Sequence, residues 1–207
     1  MTTQTLSANR PAQDTAAAQQ LQKLREIYAD APELGRAGLE KMMPELEAVV
    51  RMRPSATTAG RIGMRQDKVS ELTLIIKLRP GGAKRLRALL EVLGGNFQGA
   101  DRVGSVHDMR FVFLDNDTKL LFCTAYDGDW DPYIVDFATK IPDALDVLLC
   151  DGEGYPGMHS PNVADWIASK QIPADGWYVA NPDLTVAETR RMKRIGKAVD
   201  ELLDKIQ

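Results

Sequence analysis

The stretch that decides the fold runs from His107 to Phe137: "HDMRFVFLDNDTKLLFCTAYDGDWDPYIVDF". "HDMRFVFL" and "KLLFCTAY" are runs rich in aromatic and aliphatic residues, which reads as two strands. Between them, "DNDT" is a four-residue connection made of turn formers, so the two strands form a hairpin. After Tyr126 the pattern changes. Asp127-Gly128 makes the turn out of the strand, and Pro132 opens a helix in which Tyr133 and Phe137 lie one turn apart, facing the sheet.

Working outward, "SELTLIIKLRPG" sets Leu72, Leu74, Ile76 and Leu78 against Glu71, Thr73, Ile75 and Lys77. This alternation predicts a strand starting at Val69. Pro80-Gly81-Gly82 ends it, and "AKRLRALLEVLGG" follows as a helix with Leu86, Leu89, Leu90 and Leu93 inward and Gly94 as its stop. Beyond Phe137 the helix breaks near Pro142 and resumes as "DALDVLLC". "GWYVANP" reads as a short fourth strand. "TVAETRRMKRIGKAVDELLDKIQ" reads as a closing helix capped by Thr185, with Glu188 three residues on as a capping box.

The order is β-α-β-β-α-β, an α+β, ferredoxin-like arrangement with a four-stranded antiparallel sheet and a C-terminal helix. Apolar residues on both faces of the strands (Ile75, Leu120, Leu121, Phe122, Cys123) predict that both faces are covered, as in a homodimer with two stacked sheets. Upstream, residues 1–13 are polar and aperiodic and read as a disordered tail. Residues 14–68 read as a helical arm and linker, with an interruption at Pro44 that predicts a kink or two short helices. The main domain is expected to span residues 69–207.

Composition narrows the functional classes. The chain has 207 residues, a net charge of −3 and 44% hydrophobic residues. There is no bulk attraction for nucleic acid. No apolar run approaches the ~20 residues that span a bilayer, so no membrane partner is expected. Cys123 and Cys150 match no metal spacing and read as reduced thiols of a cytoplasmic protein.

The segments carrying His107, Arg110, Tyr126, Asp127, Gly128, Trp130, Tyr133, Phe137, Gly154, Tyr155 and Pro156 resemble the dimeric α+β-barrel superfamily of ferredoxin-like proteins. They are most similar to a poorly characterised branch with a His-x-x-Arg strand, a Tyr-Asp-Gly-x-Trp turn and a Gly-Tyr/Phe-Pro segment. The resemblance covers about residues 70–190. The wider superfamily includes cofactor-free monooxygenases, haem-degrading enzymes, chlorite dismutases and dye-decolorising peroxidases. It implies a small-molecule oxidoreductase, with haem as the candidate cofactor.

Several motifs give way to structural readings. Asp127, Asp129 and Asp131 are spaced like a calcium loop, but Pro132 stands where that loop needs Gly and Ala138 where it needs Glu. Asp131 reads as the helix cap, with Pro132 at the first helical position. Gly152, Gly154 and Gly157 spell a formal dinucleotide fingerprint, but they follow a helix and include Pro156. Lys84, Arg85 and Arg87 sit at a helix start that could attract an anion, and Arg190–Arg194 read as an exposed helix face.

The site residues left are His107, Arg110, Tyr126, Asp127 and Asp129. They are expected around a pocket between the sheet and the helix that begins at Pro132. His107 would ligate haem or act as general base, unless it is a hydrogen-bonded structural histidine. Arg110 or Tyr126 would be its polar partner, and Asp127 and Asp129 would orient it or shuttle protons. Alternation places His107 with Met109, Phe111 and Phe113 and sends Arg110 to the other face, so one site for both needs a bulge. His159, in a Gly/Pro-rich loop, is a second candidate haem ligand. The alternative function is a non-catalytic module that binds a small ligand or docks a partner.

Overall fold

A computed structural model describes residues 10–52 and 57–206. It divides into two compact units, residues 1–55 and 56–207. The tail expected at residues 1–13 lies outside the described residues up to position 9. Positions 10–13 are already helical.

The first unit is a pair of helices, α1 (Arg10–Ile27) and α2 (Glu33–Met52). They bury Ala17, Leu21 and Met43 between them, and Arg25 donates to Glu40 across the pair at 3.0 Å. The interruption expected at Pro44 does not split the element: one helix runs through it. A proline ring removes one backbone hydrogen bond, and the apolar stripe that holds α2 on α1 continues across the gap.

The second unit is α+β, with a six-stranded antiparallel sheet. Its elements are β1 (Thr57–Thr58), β2 (Met64–Gln66), β3 (Val69–Lys77), α3 (Gly82–Leu93), α4 (Gln98–Val103), β4 (Val106–Leu114), β5 (Lys119–Asp127), α5 (Trp130–Lys140), α6 (Pro142–Leu149), α7 (Val163–Lys170), β6 (Gln171–Ile172) and α8 (Val186–Ile206). The sheet order is β1-β2-β3-β5-β4, and β6 also pairs with β3. β3 pairs with β5 from Val69↔Asp127 to Lys77↔Lys119. β5 forms the expected hairpin with β4. Asp115, Asn116 and Asp117 make its turn, all at positive φ.

The expected four strands are therefore six, and two of the expectations move. The segment read as a linker supplies β1 and β2. The strand expected at Gly176–Pro182 is irregular, and Gln171–Ile172 takes the edge of β3 instead, opposite Thr73 and Leu74. The reason is competition for one edge. β2 already occupies β3 at Val69 and Ser70, and residues 176–182 run past it, with the Trp177 carbonyl accepting from the Gln66 side-chain Nε2.

α3, α5, α6 and α7 cover one face of the sheet. Leu72, Leu74, Ile76, Leu120, Phe122 and Tyr126 point into this core. Each such side chain contributes about 1.5–3 kcal/mol by leaving water. Tyr126 stacks on Tyr133 at 3.8 Å, and Tyr133 meets Phe137 edge-on at 4.6 Å, as the one-turn spacing predicts. The opposite face is less covered: Val112 is 45% exposed, and Ile75, Leu121 and Cys123 are half-buried. Among the described residues no helix is long and apolar enough to cross a membrane.

The capping box forms as expected. The Thr185 amide and hydroxyl donate to Glu188 Oε2, both at 2.8 Å, and the Glu188 amide donates back to Thr185 Oγ1 at 3.1 Å. Lys68 Nζ reaches Glu188 Oε1 at 2.8 Å. Lys68, then the Thr185 amide and hydroxyl, hold the Glu188 carboxyl at about 2, below its ordinary 4.5. A depressed carboxylate stabilises the fold above its unfolded pKa and loses that contribution as pH falls through the folded value. In denaturation experiments the advantage of the wild type over Glu188→Gln should be complete above about pH 5 and fade as pH falls toward about 2. A pH-independent difference would contradict this.

Candidate functional site

An open cleft of about 510 Å³ lies on the helical side of the second unit. One wall is the C-terminal half of α3, with Leu89, Val92 and Leu93, and the other is α6, with Ala144, Val147 and Leu148. α4 and the Asn96–Phe97 connection cross its end, and Met109, Phe137 and Ile141 line it as well. The local sequence explains the shape. Gly94 and Gly95 both take positive φ (55° and 78°), which ends α3 and reverses the chain. Pro142 starts α6 after the non-helical Ile141, so α5 and α6 meet at an angle over the same space.

The lining is almost wholly apolar. Its polar members are Asn96, Gln98 and Arg102, all exposed. Among the described residues none of these three side chains has a hydrogen-bond or ion-pair partner. Such a cleft takes up an apolar body and presents a cation and amides to a polar end. The space expected to hold a pocket, between the sheet and α5, is filled: about 30 Å³ remains among Leu74, Phe111, Phe122, Tyr133, Phe137 and their neighbours. The cleft starts on the far side of Phe137.

None of the residues expected at the site lines this cleft. His107 sits on a β-bulge. Val106 pairs with Tyr126 and Asp108 with Ala125, so His107 is the extra residue on β4. The bulge releases it from the alternation of Met109, Phe111 and Phe113, and its Nε2 meets Asp127 Oδ1 at 2.7 Å. Asp127 also accepts from the Val186 amide at 3.0 Å, at the first residue of α8. A carboxylate there satisfies a free helix amide and suits the helix dipole. The turn expected at Asp127-Gly128 is only part of its role: the Asp127 carboxylate also ties β5 to α8 and holds the His107 ring.

Arg110 pairs with Asp108 at 3.4 Å on the exposed side of β4. The Tyr126 hydroxyl is fully buried with no partner at hydrogen-bond geometry among the described residues, and burial pushes its pKa well up. Asp129, not Asp131, is the residue preceding α5. It has extended backbone and makes no side-chain cap, because its carboxylate pairs with Arg65. Asp131 is drawn off to Arg61 at 2.9 Å. Pro132 is the third residue of α5.

His159 is exposed. His107 Nε2 is engaged by Asp127, His159 lies on a separate loop, and neither histidine lines the cleft. Among the described residues no group of three potential ligands is positioned for a metal ion. The basic helix start is absorbed by structure too, since Arg85 pairs with Asp151 and Arg87 with Asp117 while stacking over Phe113. In "GEGYPG" there is no room for a side chain at Gly152, where a Cβ would meet Ile76 at 2.9 Å.

The sequence reading passed over residues 96–105, which supply all three polar lining residues. The double glycine at 94–95, followed by Gly99 and Gly104, was the signal that marked the segment. No protein-family model matches the chain, and no curated protein or solved structure is significantly similar to it.

Proposed function

We propose that the second unit is a binding module for a small, largely apolar molecule with an acidic group, held in the cleft between α3, α4 and α6. The observation that carries this reading is an apolar cleft of about 510 Å³ whose lining includes Arg102, a cation with no ion-pair partner among the described residues. The apolar body would pack on Leu89, Leu93 and Leu148, and the acid would meet Arg102, with Asn96 and Gln98 beside it. Titration with an environment-sensitive aromatic sulfonate or a fluorescent fatty acid tests it. Ala144→Trp, an exposed wall position, should abolish saturable binding. Arg102→Ala should weaken it about tenfold, the loss of one charge-assisted contact. Unchanged binding in both variants would refute the site.

The finer fold reading stays part of the proposal. β3 and β4 run in the same direction with β5 between them, and β6 flanks β3, which is the strand order of a ferredoxin-like core. The likeness to dimeric α+β barrels, and a homodimer through the sheet face bearing Ile75, Val112 and Leu121, rest on this order and on the partial exposure of that face. A cytoplasmic setting rests on cysteine usage alone.

The oxidoreductase reading finds its support away from the cleft, in the His107–Asp127 pair. It expects a His107→Ala variant to lose turnover while keeping its affinity for a cleft ligand. If turnover survives that change, His107 is not the base.

A further inference from the structure

The first turn of α8 is anchored to the sheet unit through Asp127 and the Lys68–Glu188 pair, and Arg190 reaches Asp101. From Arg190 to Ile206 every residue is exposed. Along this length Met192, Ile195, Val199, Leu202 and Ile206 recur at alternating spacings of three and four. That spacing draws one apolar seam down one face, the pattern of a helix that pairs with another helix. All five are 47–70% exposed. The seam runs for about 21 Å at the helical rise.

Charge identifies the partner. Arg190, Arg191, Lys193, Arg194 and Lys197 make the first half of the exposed helix basic, while Asp200, Glu201 and Asp204 make the second half acidic, with Lys205 as the exception. A second α8 laid parallel would set like charge against like. Laid antiparallel, each basic half lies along the acidic half of the other copy. With Met192 at the level of Leu202, and Ile195 at the level of Val199, the seam packs on itself, while the charged residues stand toward the sides and back of each helix, so their complementarity acts along the length of the pair and not through single contacts. This arrangement has a two-fold axis across the helix at Lys197, so it closes as a dimer.

We propose that α8 is a self-association helix that pairs antiparallel with α8 of a second copy. Two heptads are a short seam, so the pairing is reversible and adds to whatever other contact the two copies make. The inference does not depend on the ligand cleft.

Disulfide trapping in the full chain tests it, with Cys123→Ser and Cys150→Ser as background. Met192→Cys and Leu202→Cys chains are mixed in equal amounts in a thiol–disulfide redox buffer. The mixed cross-link should exceed either self-cross-link several-fold. Asp204→Cys, on the outward face, should give none. Reversing Lys193 and Arg194 to Glu should reduce the cross-link, and adding Asp200→Lys and Glu201→Lys should restore it. Dominant self-cross-links would mean a parallel pair and overturn the proposal. So would trapping no stronger than the outward control, which would leave the seam to a different partner or a lipid surface.

Discussion

Replacing Trp130 with alanine is expected to destabilise the second unit by about 3–5 kcal/mol, a large share of a domain's total stability. Trp130 is fully buried at the first position of α5. Its indole N–H donates to the Gln171 side-chain oxygen at 2.7 Å, and Gln171 in turn donates to the Ile62 carbonyl at 2.9 Å. The Arg61 guanidinium lies over the ring at 4.8 Å. One side chain thus joins the start of α5, the β1–β2 connection and β6. Alanine would leave a cavity and orphan a buried amide oxygen together. Phenylalanine should keep most of the packing and lose about 1–3 kcal/mol for the unpaired Gln171 oxygen. Denaturant unfolding followed by tryptophan fluorescence reports this unit, because Trp130, Trp166 and Trp177 all belong to it. A loss below about 1 kcal/mol for alanine would mean that the site collapses freely and does not tie these elements together.

Glu71→Ala is the second large effect, expected at about 3 kcal/mol from donors left unsatisfied. Glu71 is 3% exposed. Its carboxylate accepts from the Met64 amide at 3.0 Å, the Ala174 amide at 3.2 Å and the Thr73 hydroxyl at 2.9 Å. Those contacts fasten β2 and the segment after β6 to the same point of β3. Gly63 is built around this contact: it has φ +102°, and a Cβ there would stand 2.5 Å from the Glu71 carbonyl oxygen. Glutamine separates hydrogen bonding from charge. Its amide oxygen can take the place of Oε1, which serves both backbone amides, and its NH₂ can donate to Thr73, whose hydroxyl reverses role. Glu71→Gln should therefore retain most of the stability that Glu71→Ala loses. Equal losses in the two variants would show that the negative charge, rather than the three contacts, is what matters at this position.

Local pattern revealed much of the architecture. The alternation in Leu72–Leu78, the strand at "KLLFCTAY", the "DNDT" turn, the Gly94 stop and the Thr185–Glu188 box all recur in the structure where they were expected. Each is set by residues within a few positions of one another, so one sequence suffices to read them. The expected helix cap at Asp131 failed by two positions. Several acidic residues there suit a helix start equally well, and Arg65 and Arg61, far away in the chain, draw the Asp129 and Asp131 carboxylates off capping. The fourth strand failed for a similar reason. "GWYVANP" has strand-like composition, but the edge it would need was already taken by β2.

The site was less legible. His107 and Asp127 were picked as chemical residues from their types, and the structure does bring them together, through a bulge that alternation alone could not foresee. It does not bring them to the cleft. The cleft's lining comes from α3, α4, α6 and single residues of β4 and α5, most of them ordinary core types. Arg102 looks like any surface arginine until the helices around it are placed.

The sequence by itself determined the strongly periodic features: β3, α3, β4, β5 and α8, and the apolar seam of α8. Only the tertiary structure decided which strand holds the edge of β3, where the cleft opens, and why Glu71 and Gln171 are buried. Periodicity arises from backbone geometry repeating every two or 3.6 residues. Edge competition and polar satisfaction depend on partners such as Glu71 and Ala174, 103 residues apart. No local pattern carries information about a group that distant in the chain.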